Sequence, residues 1–274
     1  MPAKIVSIIN MKGGVGKTTL SFNLALELAK LNKKVLLIDF DPQSNATIVS
    51  MSEQEILSHS TNNKKTIAHA LMQSYRPAAP IKSFAPPPLD IDDFLFNKCI
   101  FPTGGLMDLI PSDLNVSSML RSLPLGPFDL DFLITNKVKD KYDYILLDCA
   151  PTYSTLTNMA LNTSTGILIP MIADSFGVWG TNLMKKVIAD HLAEFNKAPA
   201  KTGVVFTLWE DQGHQRGFSN RIVAEWGPEN IFNTKITKNN WYKIANGKRE
   251  GIMAQPTNVK IEFRTFLNEF IAHY

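Results

Sequence analysis

The sequence predicts a doubly wound α/β domain built on a mostly parallel sheet, and three observations carry that expectation. Short β-branched runs alternate with helical patterns from the amino end, a glycine-rich loop joins the first strand to the first helix, and aspartates close two of the apolar runs. Strand, crossover helix and parallel strand in succession is how a βαβ unit reads. With 274 residues and 45% hydrophobic composition, residues 1–274 fit one large domain with a core of its own.

The elements follow in order. Residues 5–9 form the first expected strand; residues 19–31 form the first helix, with Leu20, Leu24, Leu28 and Leu31 at helical spacing; residues 35–38 form the second strand. Further buried strands are expected at 106–110, 144–147, 166–170 and 203–208. Helical patterns lie near 114–123, 130–139, 156–161, 178–195 and 219–226, and a last one covers 259–273. The stretch from about 52 to 104 breaks this rhythm. It holds a polar run at 58–65 and a proline-rich piece from Arg76 to Pro88, which can continue neither a helix nor a central strand. It is read as an insertion with one helix around 67–73, and residues 77–88 as an ordered surface loop.

Composition excludes several classes. A formal net charge of +3 means that any affinity for nucleic acid must come from where charges cluster. Cys99 and Cys149 lie far apart, outside any CxxC or Cys/His pattern, so a reducing cytoplasm is expected rather than a disulfide framework or a zinc site. No apolar run reaches the ~18 residues that span a bilayer, and the amino end has no signal-peptide core. The five histidines show no ligand spacing, and no G-x-S-x-G occurs.

The decisive segment is Asn10-Met11-Lys12-Gly13-Gly14-Val15-Gly16-Lys17-Thr18-Thr19, between the first strand and the first helix. Glycines let backbone N–H groups curl around phosphate oxygens, and the helix N-terminus adds its positive end. Lys17 can reach the β- and γ-phosphates, and the Thr18 hydroxyl can ligate Mg²⁺. The chain is thus expected to be a P-loop NTPase. The ordinary spacing fails because its first glycine would fall on Met11. The deviant Walker A form, with an additional lysine at Lys12, is satisfied instead.

Carboxylates follow two strands. Asp39 and Asp41 stand two apart at the end of the second strand, so both can face the phosphate site, with Pro42 stopping the strand. Asp39 is assigned to the metal's outer shell. Asp148 closes the apolar run 144–147 as a Walker B aspartate would, binding Mg²⁺ through water. Cys149 beside it reads as a buried small hydrophobe.

These motifs resemble the ParA/MinD family of deviant Walker ATPases, and most closely its ParA-type partition ATPases. Asp39 through Thr47 is similar to the family's D-x-D-P-Q-x-N-A-T stretch, and Asp148-Cys149-Ala150-Pro151 to its switch segment. The resemblance implies an ATP-closed homodimer in which Lys12 crosses to the partner's phosphates and Asp41 positions the attacking water. It also implies adenine near 207–209 and 236–237, slow hydrolysis stimulated by a ParB-like or adaptor protein, and a nucleoid-associated cytoplasmic location.

Residues 232–249 carry Lys235, Lys238, Lys243, Lys248 and Arg249 with no acidic residue, a patch suited to the phosphate backbone of DNA without base reading. A solvated basic face is the alternative. Where the family has I-P-R-N-V-R, this chain has Thr237, Lys238 and Trp241 in place of the proline and the two arginines. Two rival functions remain at this stage. A MinD-like membrane switch needs a basic amphipathic tail, whereas the tail here has balanced charge. A dethiobiotin-synthetase-type ligase shares a similar loop but would turn over a small carboxylated substrate rapidly without DNA.

Overall fold

The structure is a computed structural model that describes residues 2–62, 65–74, 88–116 and 129–274. Its centre is a seven-stranded sheet: β1 (Lys4–Ile8), β2 (Lys34–Phe40), β3 (Phe96–Ile100), β4 (Leu106–Ile110), β5 (Tyr144–Cys149), β6 (Gly166–Met171) and β7 (Lys201–Phe206). The spatial order is β3-β4-β2-β5-β1-β6-β7. Every pairing is parallel except β3 with β4. Parallel strands covered on both faces read as continuous apolar runs, and all six residues of β5 and of β6 are buried.

Two cores lie on opposite faces of this sheet. Alternation along β1 sends Ile5 to one and Val6 and Ile8 to the other. The second face is covered by α1 (Lys17–Lys30) and by the last helix, α10 (Thr257–His273), whose Phe263, Phe266 and Phe270 are fully buried. This stripe at i, i+3 and i+7 is why the tail lies on its own sheet. No helix among the described residues is long and apolar enough to cross a membrane.

The intervening helices are α2 (Asn45–Ser50), α3 (Glu53–Thr61), α4 (Ile67–Ser74), α5 (Asn136–Lys141), α6 (Thr155–Thr163), α7 (Ser175–Phe195), α8 (Gly213–Trp226) and α9 (Asn240–Lys248). Several differ from expectation for local reasons. The helix expected near 130–139 starts only at Asn136, because Thr135 takes the cap and accepts from Val138 N at 3.4 Å. Residues 130–134 form a turn before it, with Leu130 and Leu133 still in the core. α7 begins three residues early, where Asp174 caps it by accepting from Gly177 N at 2.6 Å. The helix expected near 114–123 lies outside the described residues beyond 116, as does most of the proline-rich piece.

Within 52–104 the structure holds α3 and the edge strand β3 in addition to the expected helix, α4. α4 is anchored to the loop after β4: Ile67 N donates to Pro111 O, and Thr66 Oγ1 to Asp113 Oδ2 at 2.6 Å. One residue further on, Ser112 N donates to Thr47 Oγ1 at 2.9 Å, and that hydroxyl donates to Asp39 Oδ2 at 2.6 Å.

Candidate functional site

The carboxyl ends of β1, β2 and β5 meet at the position where doubly wound sheets bind ligands. The loop from Asn10 to Thr19 leaves β1 there and opens α1. Asn10 fastens it from below, donating through Nδ2 to Pro170 O at 2.8 Å and accepting through Oδ1 from Lys12 N at 2.9 Å. Gly14 (φ 74°) and Gly16 (φ 87°) adopt the left-handed conformation that side chains resist. A Cβ added at Gly13, Gly14 or Gly16 would meet nothing within 4 Å, so the space beside the loop is open. Gly16 is the N-cap of α1 and offers no side chain to the first-turn amides, which suits an anion at that helix end.

Charged groups converge beneath this cradle. Lys17 is 7% exposed, and its Nζ donates to Asn10 O at 3.1 Å and Lys12 O at 3.0 Å. Burial lowers its pKa, while Asp148 pulls the other way. Asp148 is 1% exposed and accepts from Thr18 Oγ1 and from Ser21 Oγ, each at 2.8 Å. Burial pushes its carboxyl up to about 6 against those two hydroxyls and Lys17. Asp39 is paired in register with Asp148. Its Oδ1 accepts from Asp41 N at 3.2 Å, and its Oδ2 accepts from Thr47 N at 2.7 Å and from Thr47 Oγ1. Burial, then the neighbouring Asp148 charge, raises it to about 8. Asp39 thus anchors the turn into α2 from a position beside Asp148. Asp41, 6% exposed, accepts from Gln43 N at 2.9 Å and borders the cavity.

That cavity has a volume of about 510 Å³. Gly13, Gly14, Gly16, Lys17, Thr18 and Asp41 form one side, and Thr207, Leu208, Ile236 and Thr237 the other, so the region expected to hold adenine is continuous with the loop. Thr207 Oγ1 closes the two walls together by donating to Val15 O at 2.9 Å. The donor set fits a nucleoside triphosphate with Mg²⁺: an open amide nest, a buried ammonium, and a hydroxyl already held against a carboxylate, as oxygen-seeking Mg²⁺ requires. Among the described residues no cluster of three or more His, Cys, Asp or Glu forms a separate metal site. Cys149 is buried, with its thiol pushed up to about 12 by burial, which leaves it an inert hydrophobe.

Two groups of expected residues sit differently. Lys12 lies at the rim, where its Nζ pairs with Asp174 Oδ2 at 2.8 Å and stands 5.3 Å from the Phe176 ring centre. The basic residues do not form one uniform patch. Lys235 packs over the Trp209 ring at 3.8 Å, Lys238 pairs with Glu210 at 3.1 Å, and Arg249 Nε donates to Met51 O at 2.8 Å. Lys243 and Lys248 are exposed on α9, and Lys243 borders the cavity. Elsewhere on the surface, Lys185, Lys186 and Arg216 pair with Glu225, Asp190 and Asp211. Sequence reasoning missed Ser21 and Asp174, and the bond that ties Thr207 to Val15. Ser21 alone had a signal, standing one helical turn after Thr18.

Comparison with known proteins agrees with this geometry. A family profile described as an AAA domain matches residues 3–198. The chain is 30% identical over 250 residues to the chromosome-partitioning ATPase Soj of Treponema pallidum, covering 91% of this chain and 88% of that one. It is 27% identical over 245 residues to the chromosome partitioning protein ParA of Caulobacter vibrioides, covering 87% and 82%. Among solved structures, an ATP complex of a Cyanothece McdA variant superposes with a TM-score of 0.78 at 19% identity over 99% of this chain and 97% of the other. A plasmid partition protein from Borrelia burgdorferi gives 0.72 at 23% identity over 100% of both. With the profile spanning most of its length and the Soj likeness nearly all of it, the chain belongs to the Soj/ParA family of partition ATPases.

Proposed function

We propose that this chain is a slow, Mg²⁺-dependent ATPase that works as a homodimeric switch positioning cargo, and that its ATP state holds non-specific DNA until hydrolysis releases it. The observation that carries the reading is the joint placement of an open glycine cradle, the Thr18–Asp148 pair beneath it, and Asp41 at the cavity wall. Amides of Gly13 to Thr19 and the Lys17 ammonium would bind the phosphates; Thr18 and Asp148 would hold Mg²⁺, with Asp39 in its outer shell; and Asp41 would orient the attacking water. Bound Mg²⁺ supplies charge neutralisation on the phosphoryl oxygens. Lys12 is assigned to the partner subunit's phosphates, which requires it to leave Asp174. Its position at the rim, near the exposed Phe176, supports a second copy docking on this face.

The exposed Lys243 and Lys248 are proposed to carry the DNA contact, with Lys235, Lys238 and Arg249 as secondary contributors. Residues 52–104 are proposed to be an insertion into one domain. A ParB-like or adaptor protein would stimulate hydrolysis, in a cytoplasmic, nucleoid-associated setting. Sequence likeness to partition ATPases favours this reading over a small-molecule ligase, and the buried stripe of α10 favours it over a membrane tether.

The test is ATP turnover together with DNA retention for the wild type, Lys12→Ala and Asp41→Ala. Asp41→Ala is expected to bind ATP, dimerise and stay on DNA while turnover collapses, and Lys12→Ala to lose both hydrolysis and its coupling to DNA. Fast turnover indifferent to DNA and to both substitutions would instead place the chain with the ligases.

A further inference from the structure

Helix α9 is joined to the phosphate-loop helix by a chain of side-chain amides that the proposed hydrolysis does not call upon. Asn246 Nδ2 donates to Thr19 Oγ1 at 3.1 Å. Asn23, fully buried one turn further along α1, donates through Nδ2 to Thr19 O at 2.8 Å and lies 3.5 Å from Asn246 Oδ1. Its own Oδ1 accepts from Ile252 N at 2.7 Å, just past the end of α9. Buried amides bonded on both ends fix geometry, because leaving either end unpaired costs the desolvation of that group.

Thr19 borders the cavity as the last residue of the loop. Its hydroxyl oxygen accepts from Asn246, which leaves the hydroxyl proton to be donated to an acceptor inside the cavity. The helix on the other side of this bond spans several regions. Lys243 faces the cavity, Tyr242 and Ala245 enter the core, Lys248 is exposed, and the capping Arg249 reaches back to Met51 O beyond α2.

We propose that Asn246 is a positioning residue for Thr19, presenting that hydroxyl to a nucleotide phosphate and thereby making the basic helix α9 sense whether the loop is filled. A hydroxyl that donates to an anion becomes a better acceptor, so a bound phosphate tightens the Asn246 bond and steadies α9. The inference rests on the nucleotide reading above for its ligand and is independent of whether α9 meets DNA.

The test compares hydrogen exchange and equilibrium ADP binding, with Mg²⁺, in the full chain. In the wild type, ADP is expected to slow exchange both in residues 13–19 and in residues 242–248. In Asn246→Ala the loop keeps its protection, α9 loses its response, and ADP binds about fivefold more weakly, as the loss of one hydrogen bond gives. Asn23 keeps Thr19 O and Ile252 N as partners in that variant, so the helix interface survives. Asn246→Asp preserves size but sets a carboxylate against the phosphate seat, and should weaken ADP by about tenfold or more, most strongly at low salt. The proposal is overturned by α9 protection in Asn246→Ala equal to wild type. It is overturned equally by α9 exchange rising alike with and without ADP at unchanged affinity, which is the signature of a purely structural asparagine. Should the wild-type loop itself ignore ADP, the nucleotide reading fails first, and the two failures are told apart by which peptide is silent.

Discussion

The floor of the phosphate loop and the basic segment 232–249 border the same cavity, yet they are held on opposite terms. On the floor, Lys17, Asp39, Asp41 and Asp148 are each less than a tenth exposed, and each is fixed by donors or acceptors of the chain itself. In the basic segment, Lys238 is met by Glu210 and Lys235 rests on Trp209, while Lys243 and Lys248 extend into solvent. Charge that is buried and paired acts through position and loses its effect when moved. Exposed charge acts through number and is screened by salt. The difference teaches that the first region should fail residue by residue and the second by degrees.

The largest expected effect tests the first half of that contrast. Lys17→Ala removes the ammonium buried beneath the loop, and ATP turnover should fall by on the order of 100-fold or more. A loss of less than about tenfold in steady-state assays would break the comparison. Ser21→Ala comes next. It takes one of two hydroxyls from Asp148, so the Mg²⁺ concentration for half-maximal turnover should rise about fivefold, with a loss of about 1 kcal/mol in thermal or urea unfolding. An unchanged Mg²⁺ requirement would show that Thr18 alone sets the carboxylate. The smallest effects belong to the second region. Lys243→Gln and Lys248→Gln should each lower the slope of log DNA affinity against log salt by about 1, and Lys238→Gln by clearly less, because Glu210 already meets that charge. Equal slopes for all three lysines would mean that ion pairing within the chain does not decide which charges DNA meets.

The same contrast explains what was legible in the sequence. The loop could be read because residues 10–19 are contiguous, and Asp39, Asp41 and Asp148 because each marks the end of an apolar run. Continuous apolar runs sufficed for the parallel strands and period-3.6 patterns for the long helices α1, α7 and α10. Partners contributed from far along the chain left no such trace. Asp174 meets Lys12 and Thr207 meets Val15 across loops that only the finished sheet brings together. β3 escaped notice because a half-exposed antiparallel edge strand, Phe-Asn-Lys-Cys-Ile, lacks the continuous apolar run of its parallel neighbours. α9 was hidden by its basic composition, which drew attention to charge and away from the buried Tyr242 and Ala245 that fix its orientation.

One hydroxyl has a reach out of proportion to its size. Thr47 has a single proton, spent on Asp39, and its oxygen receives the amide of Ser112, whose neighbours Pro111 and Asp113 fasten the start of α4. The segment 52–104 is therefore no passive ornament: its inner end is geared to the strand that carries Asp39 and Asp41. Exchanging Thr47 for valine keeps the volume and strips out both links at once. The lesion would lie out of contact with any phosphate, and would still be felt in how firmly Asp39 and Asp41 are seated.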